Sequence, residues 1–153
     1  MPGERSSFEV VSNKKARFEY EILETTEAGI VLKGTEVKAV RSRKVSITEA
    51  YARIRNSEVF IVGMNIALYE MGNRFNHEPE RERKLLLHSQ EIKRFTGKLK
   101  EKGLTLVPLK VYFKEGKVKV LLGLGKGKAK YDKRRTIQKR DSDRDMQRAM
   151  KYR

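Results

Sequence analysis

Apolar and polar residues alternate from Phe18 to Leu23, with Phe18, Tyr20 and Ile22 set against Glu19, Glu21 and Leu23. A period of two is that of a half-buried strand. A second strand-like run, Ala28-Gly29-Ile30-Val31-Leu32, follows, and Glu24 and Glu27 before it are read as turn residues. Gly34-Thr35-Glu36 reads as a helix start, with Thr35 as cap and Val37 and Val40 three apart. Tyr51–Arg55 and Val59–Val62 flank Asn56-Ser57-Glu58 and predict a hairpin. Glu70 to Lys84 is polar and is read as a loop or a partly helical excursion. From His88 to Lys102 the period becomes helical: Ile92, Phe95 and Leu99 share a face, and Gly103 stands where a C-terminal cap belongs. Glu91, three residues after His88, completes a capping box. Leu104–Phe113 and Val118–Leu124 then predict a second hairpin. Pro108 lies where the apolar phase passes from Leu104 and Leu106 to Leu109, Val111 and Phe113, the place for a bulge.

These elements predict a mainly β fold. About six strands joined by short turns, with two to three packed helices and no βαβ repetition, favour an OB-fold-like antiparallel barrel over a doubly wound sheet. The expected organisation is a flexible leader over 1–12, a barrel over 13–125 and a tail over 126–153.

Charge turns this fold toward a partner. The 153 residues carry 36 Lys and Arg against 20 Asp and Glu, a net charge of +16. Small domains need a magnitude of only about 2–8 for solubility. The tail from Lys126 holds 12 of those basic residues and 4 of the acidic ones, and so half of the excess. Such an end repels itself, does not collapse alone and suits a polyanion, above all RNA or DNA. Within it, Ile137 is followed by Met146, Ala149 and Met150 at helical spacing, which suggests a helix that forms on docking. The absence of Cys excludes disulfides and Cys-ligated zinc, and no apolar run approaches the roughly 20 residues of a membrane span. A cytoplasmic protein is expected.

Candidate chemistry is sparse. The two histidines, His77 and His88, lack zinc-helix spacing, so neither a metal nor another cofactor is expected. Gly123-Leu124-Gly125-Lys126-Gly127-Lys128 matches no nucleotide-binding fingerprint and is read as a flexible hinge whose Lys126 and Lys128 can approach phosphate. No catalytic constellation can be assembled, and the chain is not expected to be an enzyme.

Five motifs occur in order: Asn13-Lys14-Lys15-Ala16-Arg17, Glu27-Ala28-Gly29-Ile30, Gly34-Thr35-Glu36-Val37-Lys38, Arg83-Lys84-Leu85-Leu86-Leu87-His88, and Gly125-Lys126-Gly127-Lys128 with Tyr131-Asp132-Lys133-Arg134. Together they resemble the small protein B family, the bacterial partners of transfer-messenger RNA, from about Val11 to the end. The resemblance implies an OB barrel that binds the tRNA-like end of that RNA, without catalysis. It further implies delivery of the RNA, with elongation factor Tu, to ribosomes stalled on broken messages.

It places Glu27, Leu86 and His88 on the RNA-binding surface, with Asn13, Lys14, Tyr20, Lys126 and Lys128 grouped with them. Tyr131, Asp132, Lys133 and Arg134 would lie at the decoding centre. The stretch with Ile137, Lys139, Arg140, Met146 and Met150 would become helical in the empty messenger channel. Two segments depart from the family pattern. Ala39 to Ser46 lacks Ser, Gly and Asn at the positions where the family usually shows them, and Met64 to Tyr69 lacks Ser-Pro before Tyr.

Two other readings fit a basic barrel with a basic extension. A structural ribosomal protein would be stoichiometric on every ribosome. An OB-type nucleic-acid enzyme or single-strand binder would want more stacking aromatics than 6 Tyr, 6 Phe and no Trp.

Overall fold

A computed structural model describes residues 8–71, 76–101 and 103–128. In chain order the elements are β1 (Phe8–Ser12), α1 (Lys14–Glu19), β2 (Tyr20–Ile30), α2 (Gly34–Arg41), β3 (Val45–Ser46), β4 (Tyr51–Arg55), β5 (Glu58–Val62), β6 (Asn65–Ile66), β7 (Arg83–Leu86), α3 (Ser89–Lys98), β8 (Leu104–Lys114) and β9 (Lys117–Gly127). The main sheet runs β1-β8-β4-β5-β7-β2-β9, and β8 also pairs with β9. That last pairing joins the ends, so β8, β4, β5, β7, β2 and β9 form a closed six-stranded antiparallel barrel. β1 is added outside the ring, on β8. Closure removes the exposed sheet edges that an open sheet would present.

Both expected hairpins are present. Asn56 (φ 52°) and Ser57 (φ 61°) link β4 to β5, and Glu115 (φ 53°) and Gly116 (φ 79°) link β8 to β9. Two central residues of positive φ make the turn whose twist matches the strands.

Two bulges let long strands serve two cores. The register of β8 shifts between Pro108 and Lys110. Before the shift Leu106 faces the barrel interior, while Val107 and Leu109 pack outside with Ala16 of α1. After it, Val111 and Phe113 face inward. β2 behaves alike: its register shifts between Ile22 and Glu24, so Tyr20 and Ile22 join the outer cluster while Ala28 and Ile30 join the inner one. One extra residue flips every later side chain to the other face.

Several expectations are corrected here. The leader expected over 1–12 is, over Phe8–Ser12, a strand whose Val10 is buried. The two runs flanking Glu24 and Glu27 are one strand, not two joined by a turn. Glu24 and Thr26 look turn-like because α3 covers them with polar groups: Arg94 Nη1 lies 2.7 Å from Glu24, and Thr26 donates to Glu91. The polar segment before Leu85 ends in β7, whose Arg83 is buried against Glu36. Lys33, not Thr35, caps α2, with its N–H donating to Glu36 Oε1 at 2.8 Å. Thr35 lies instead 2.9 Å from Nδ1 of the buried His77, whose Nε2 is 2.8 Å from the Ile66 carbonyl. A carbonyl only accepts, so Nε2 carries the proton there. The 123–127 segment read as a hinge is strand β9, and the barrel therefore extends to Gly127.

Candidate nucleic-acid interface

Gly29 of β2 is flanked in register by Leu86 of β7 and Lys119 of β9. A Cβ at Gly29 would sit 3.4 Å from that of Leu86, so the glycine lets this leucine lie across β2. Leu86 is nonetheless 52% exposed, in a shallow depression lined also by Glu27, Leu87, His88, Glu91 and Lys119. His88 enters it as the residue before α3, its backbone N–H directed at Glu91 Oε1 (3.4 Å). Glu27, Leu86 and His88, expected together from the sequence, are together in space.

The carboxylate of Glu27 is aimed by neighbours that the sequence reading did not single out. Tyr112 Oη donates to Glu27 Oε2 at 2.5 Å, and Lys114 Nζ lies 3.5 Å from both carboxylate oxygens. The Tyr112 hydrogen bond, with Lys114 and Lys119 nearby, holds the Glu27 carboxyl below the usual range despite partial desolvation. Burial, and then Glu27 itself, push the Tyr112 phenol well above its ordinary value. The signal was available in the hairpin: Tyr112 and Lys119 are register partners with outward-facing side chains.

The depression thus offers a fixed acceptor, an exposed apolar side chain, an imidazole and a cation. A carboxylate repels phosphate but accepts from base amino groups or ribose hydroxyls. Leucine and imidazole pack on unstacked bases, and Lys119 suits the backbone. That combination is chemically suited to the base edges and ribose of a folded single strand. A second depression continues it past Gly29 and Leu86 to Val37, Gly116 and Lys117.

The other expected residues lie elsewhere. Tyr20 pairs with Gly127 at the far end of β2, seven residues and about 23 Å along the strand from Glu27. Its side chain packs on Gly125, where a Cβ would come within 2.8 Å of Tyr20 Cβ. Lys14 and Lys126 are exposed at this end. Lys128 Nζ reaches the Arg17 carbonyl at 3.3 Å.

Asn13 is not a surface residue. It is 2% exposed, caps α1 by accepting from Ala16 N–H at 3.0 Å, and donates to the Ile47 and Pro108 carbonyls, both at 3.0 Å. Its role is to fix α1 against the barrel. Tyr131, Asp132, Lys133, Arg134, Ile137, Lys139, Arg140, Met146 and Met150 lie outside the described residues. Among the described residues no three His, Cys, Asp or Glu side chains gather as metal ligands, and no helix is long and apolar enough to cross a membrane.

Comparison with known proteins bears on the family and the fold. The model of the SmpB protein family matches residues 10–152. An SsrA-binding protein of Desulforudis audaxviator is 57% identical over 140 residues, covering 92% of each chain. That of Acetivibrio thermocellus is 57% identical over 142 residues, covering 93% of this chain and 92% of its own. Among solved structures, a chain from "tmRNA-SmpB: a journey to the center of the bacterial ribosome" superimposes with a TM-score of 0.66 at 55% identity. It covers 78% of this chain and 85% of its own. The chain belongs to the SmpB protein family.

Proposed function

We propose that this protein binds the tRNA-like domain of transfer-messenger RNA and serves trans-translation by bringing that RNA to stalled ribosomes. The observation that carries the reading is the convergence of Glu27, Leu86 and His88 in one depression beside Lys119. Relatives bearing the name SsrA-binding protein, and a neighbour solved as tmRNA-SmpB, support it.

The work required is binding and positioning, which needs no bond-making residue. The partners in this reading are the transfer-messenger RNA, the small-subunit rRNA and, within the delivery complex, elongation factor Tu, all in the cytoplasm. Residues after Lys128 form the ribosome-directed tail, with Tyr131, Asp132, Lys133 and Arg134 at the decoding centre. The remainder becomes helical in the messenger channel. A cationic tail can enter that phosphate-walled groove only where messenger is missing, so exclusion reports a vacant channel. Phosphate contacts offset a backbone ordering cost of about 1–2 kcal/mol per residue.

Glu27→Ala and His88→Ala test the barrel surface. Both side chains lie at the surface, so the fold should persist, with a loss of no more than about 0.5–2 kcal/mol for the α3 cap or the Tyr112 hydrogen bond. Binding to the isolated tRNA-like domain should weaken about tenfold, the equivalent of roughly 1.4 kcal/mol of polar interaction. Unchanged binding by both variants would remove this surface from the interface.

A further inference from the structure

At the C-terminal end of α2 two arginines lie over two phenylalanines of β1 and β8, as a ladder. Phe8 of β1 and Phe113 of β8 are register partners, stacked at 4.9 Å between ring centroids with 20° between planes. The Arg41 guanidinium lies 5.3 Å from the Phe113 ring centre, and that of Arg43 lies 5.8 Å from the Phe8 ring centre. Both arginines are exposed. Arg43 Nη1 also donates to the Glu9 carbonyl at 2.6 Å, so its partner there is backbone and its charge is not neutralised.

Arg43 stands in left-handed backbone, φ 62°, just after the Ser42 cap. Its N–H donates to the Val40 carbonyl at 2.9 Å, and the Lys44 N–H to that of Ala39 at 3.0 Å. This helix-ending turn favours glycine, because a Cβ is strained there. Glycine would make the same backbone hydrogen bonds with less strain, so closing the turn does not account for an arginine. Nor does the negative end of the helix dipole, since Arg41 and Lys44 already flank it. What the arginine adds is a guanidinium laid over Phe8.

A guanidinium held over an aromatic face loses orientational freedom, and with Nη1 of Arg43 on the Glu9 carbonyl the remaining N–H groups suit phosphate oxygens. Phe113 is only 3% exposed and has no free face for a base. The ladder also adjoins the surface described above. Val37, one turn before Arg41, lines the depression shared by Gly29, Leu86 and Lys117. Four helical residues span about 6 Å.

The geometry points to Arg41 and Arg43 as a phosphodiester clamp that extends the Glu27–Leu86–His88 surface and grips the sugar–phosphate backbone of the same RNA. This rests on the RNA-binding reading of that surface.

The test titrates the full chain and its Arg41→Gln, Arg43→Gly and Arg43→Lys variants against the tRNA-like domain across a salt series, with melting curves alongside. Removing one arginine–phosphate pair should lower the slope of log affinity against log salt by about 0.7–0.9, and so weaken binding about five- to eightfold at 0.1 M salt. Arg43→Gly should do this while its Tm stays level or rises by about 3 °C, because strain at that position is released. Arg43→Lys should keep the salt slope, having kept the charge.

A sharp fall in Tm for Arg43→Gly would make the ladder a structural staple and overturn the proposal. So would wild-type affinity and slope in both Arg41→Gln and Arg43→Gly. If Glu27→Ala still weakens binding in that case, the clamp fails while the surface stands. If the wild type does not bind the tRNA-like domain, both fail together.

Discussion

Glu36 shows how much one buried residue does in this fold. It is fully buried at the first turn of α2, accepts from Arg83 Nε and from Arg81 Nη2 (2.5 Å), and takes the Lys33 N–H as well. Arg83 in turn donates to the Met64 carbonyl at 2.7 Å and the Pro79 carbonyl at 3.0 Å. The cluster therefore ties α2, β7 and the loop before it into one unit. Burial works to raise the Glu36 pKa, but the hydrogen bonds from Arg81, the Lys33 backbone and Arg83 outweigh it, and the carboxyl lies below its usual range. A carboxyl whose folded pKa is depressed stabilises the fold above its unfolded pKa, about 4.3, and loses that contribution as pH falls through the folded value. Denaturant unfolding should thus show stability dropping below about pH 4.5. Glu36→Gln should cost about 3–5 kcal/mol at pH 7, by leaving Arg83 charged and uncompensated, and should show a smaller acid step. A variant as stable as the wild type at pH 7 would mean that the cluster contributes little.

At the scale of elements, the last strand sets where the body of the molecule stops. Lys126 and Gly127 pair with Glu21 and Tyr20, the Gly127 N–H donates to the Gly103 carbonyl at 3.3 Å, and the Lys128 N–H donates to that of Glu19 at 2.9 Å. Deleting residues 129–153 should leave the melting temperature unchanged and binding to the tRNA-like domain largely intact, while abolishing peptidyl transfer to the RNA on stalled ribosomes. Deleting 126–153 should lower Tm by about 5–10 °C, since it removes several backbone hydrogen bonds of roughly 1 kcal/mol each. Equal melting of the two deletions would place the boundary earlier than the structure does. The sequence pattern showed the two hairpins and α3 because their periods are unbroken and their turn residues are diagnostic. It did not show β2 as one strand, because the shift at Leu23 and the polar cover from α3 interrupt the alternation. β7 escaped for a different reason: its first inward residue is an arginine, acceptable there only because Glu36 lies opposite it. Glu27, Leu86 and His88 were legible through their motifs; the pairing of Tyr112 with Lys119 was legible in the hairpin, but the β2–β9 register was needed to set both beside Glu27. Asn13 was misplaced because a buried cap and a surface residue look alike in one sequence.

For the whole molecule, the closed barrel keeps the Glu27 end and the Lys126 end on opposite reaches of the same long strands. The net charge of +16 gives a general attraction to RNA, which falls steeply with salt and distinguishes one folded RNA from another only weakly. In the reading proposed above, discrimination comes from the depression, where the carboxylate held by Tyr112 would reject bare phosphate and accept from base or ribose. The most direct test of this division is a titration of the full chain, at physiological salt, against the tRNA-like domain of transfer-messenger RNA, an elongator tRNA and an unstructured oligonucleotide of equal length. The tRNA-like domain should bind at least tenfold more tightly than either competitor, and Glu27→Ala should erase most of that margin. Equal binding to all three, set by charge and salt alone, would contradict the account.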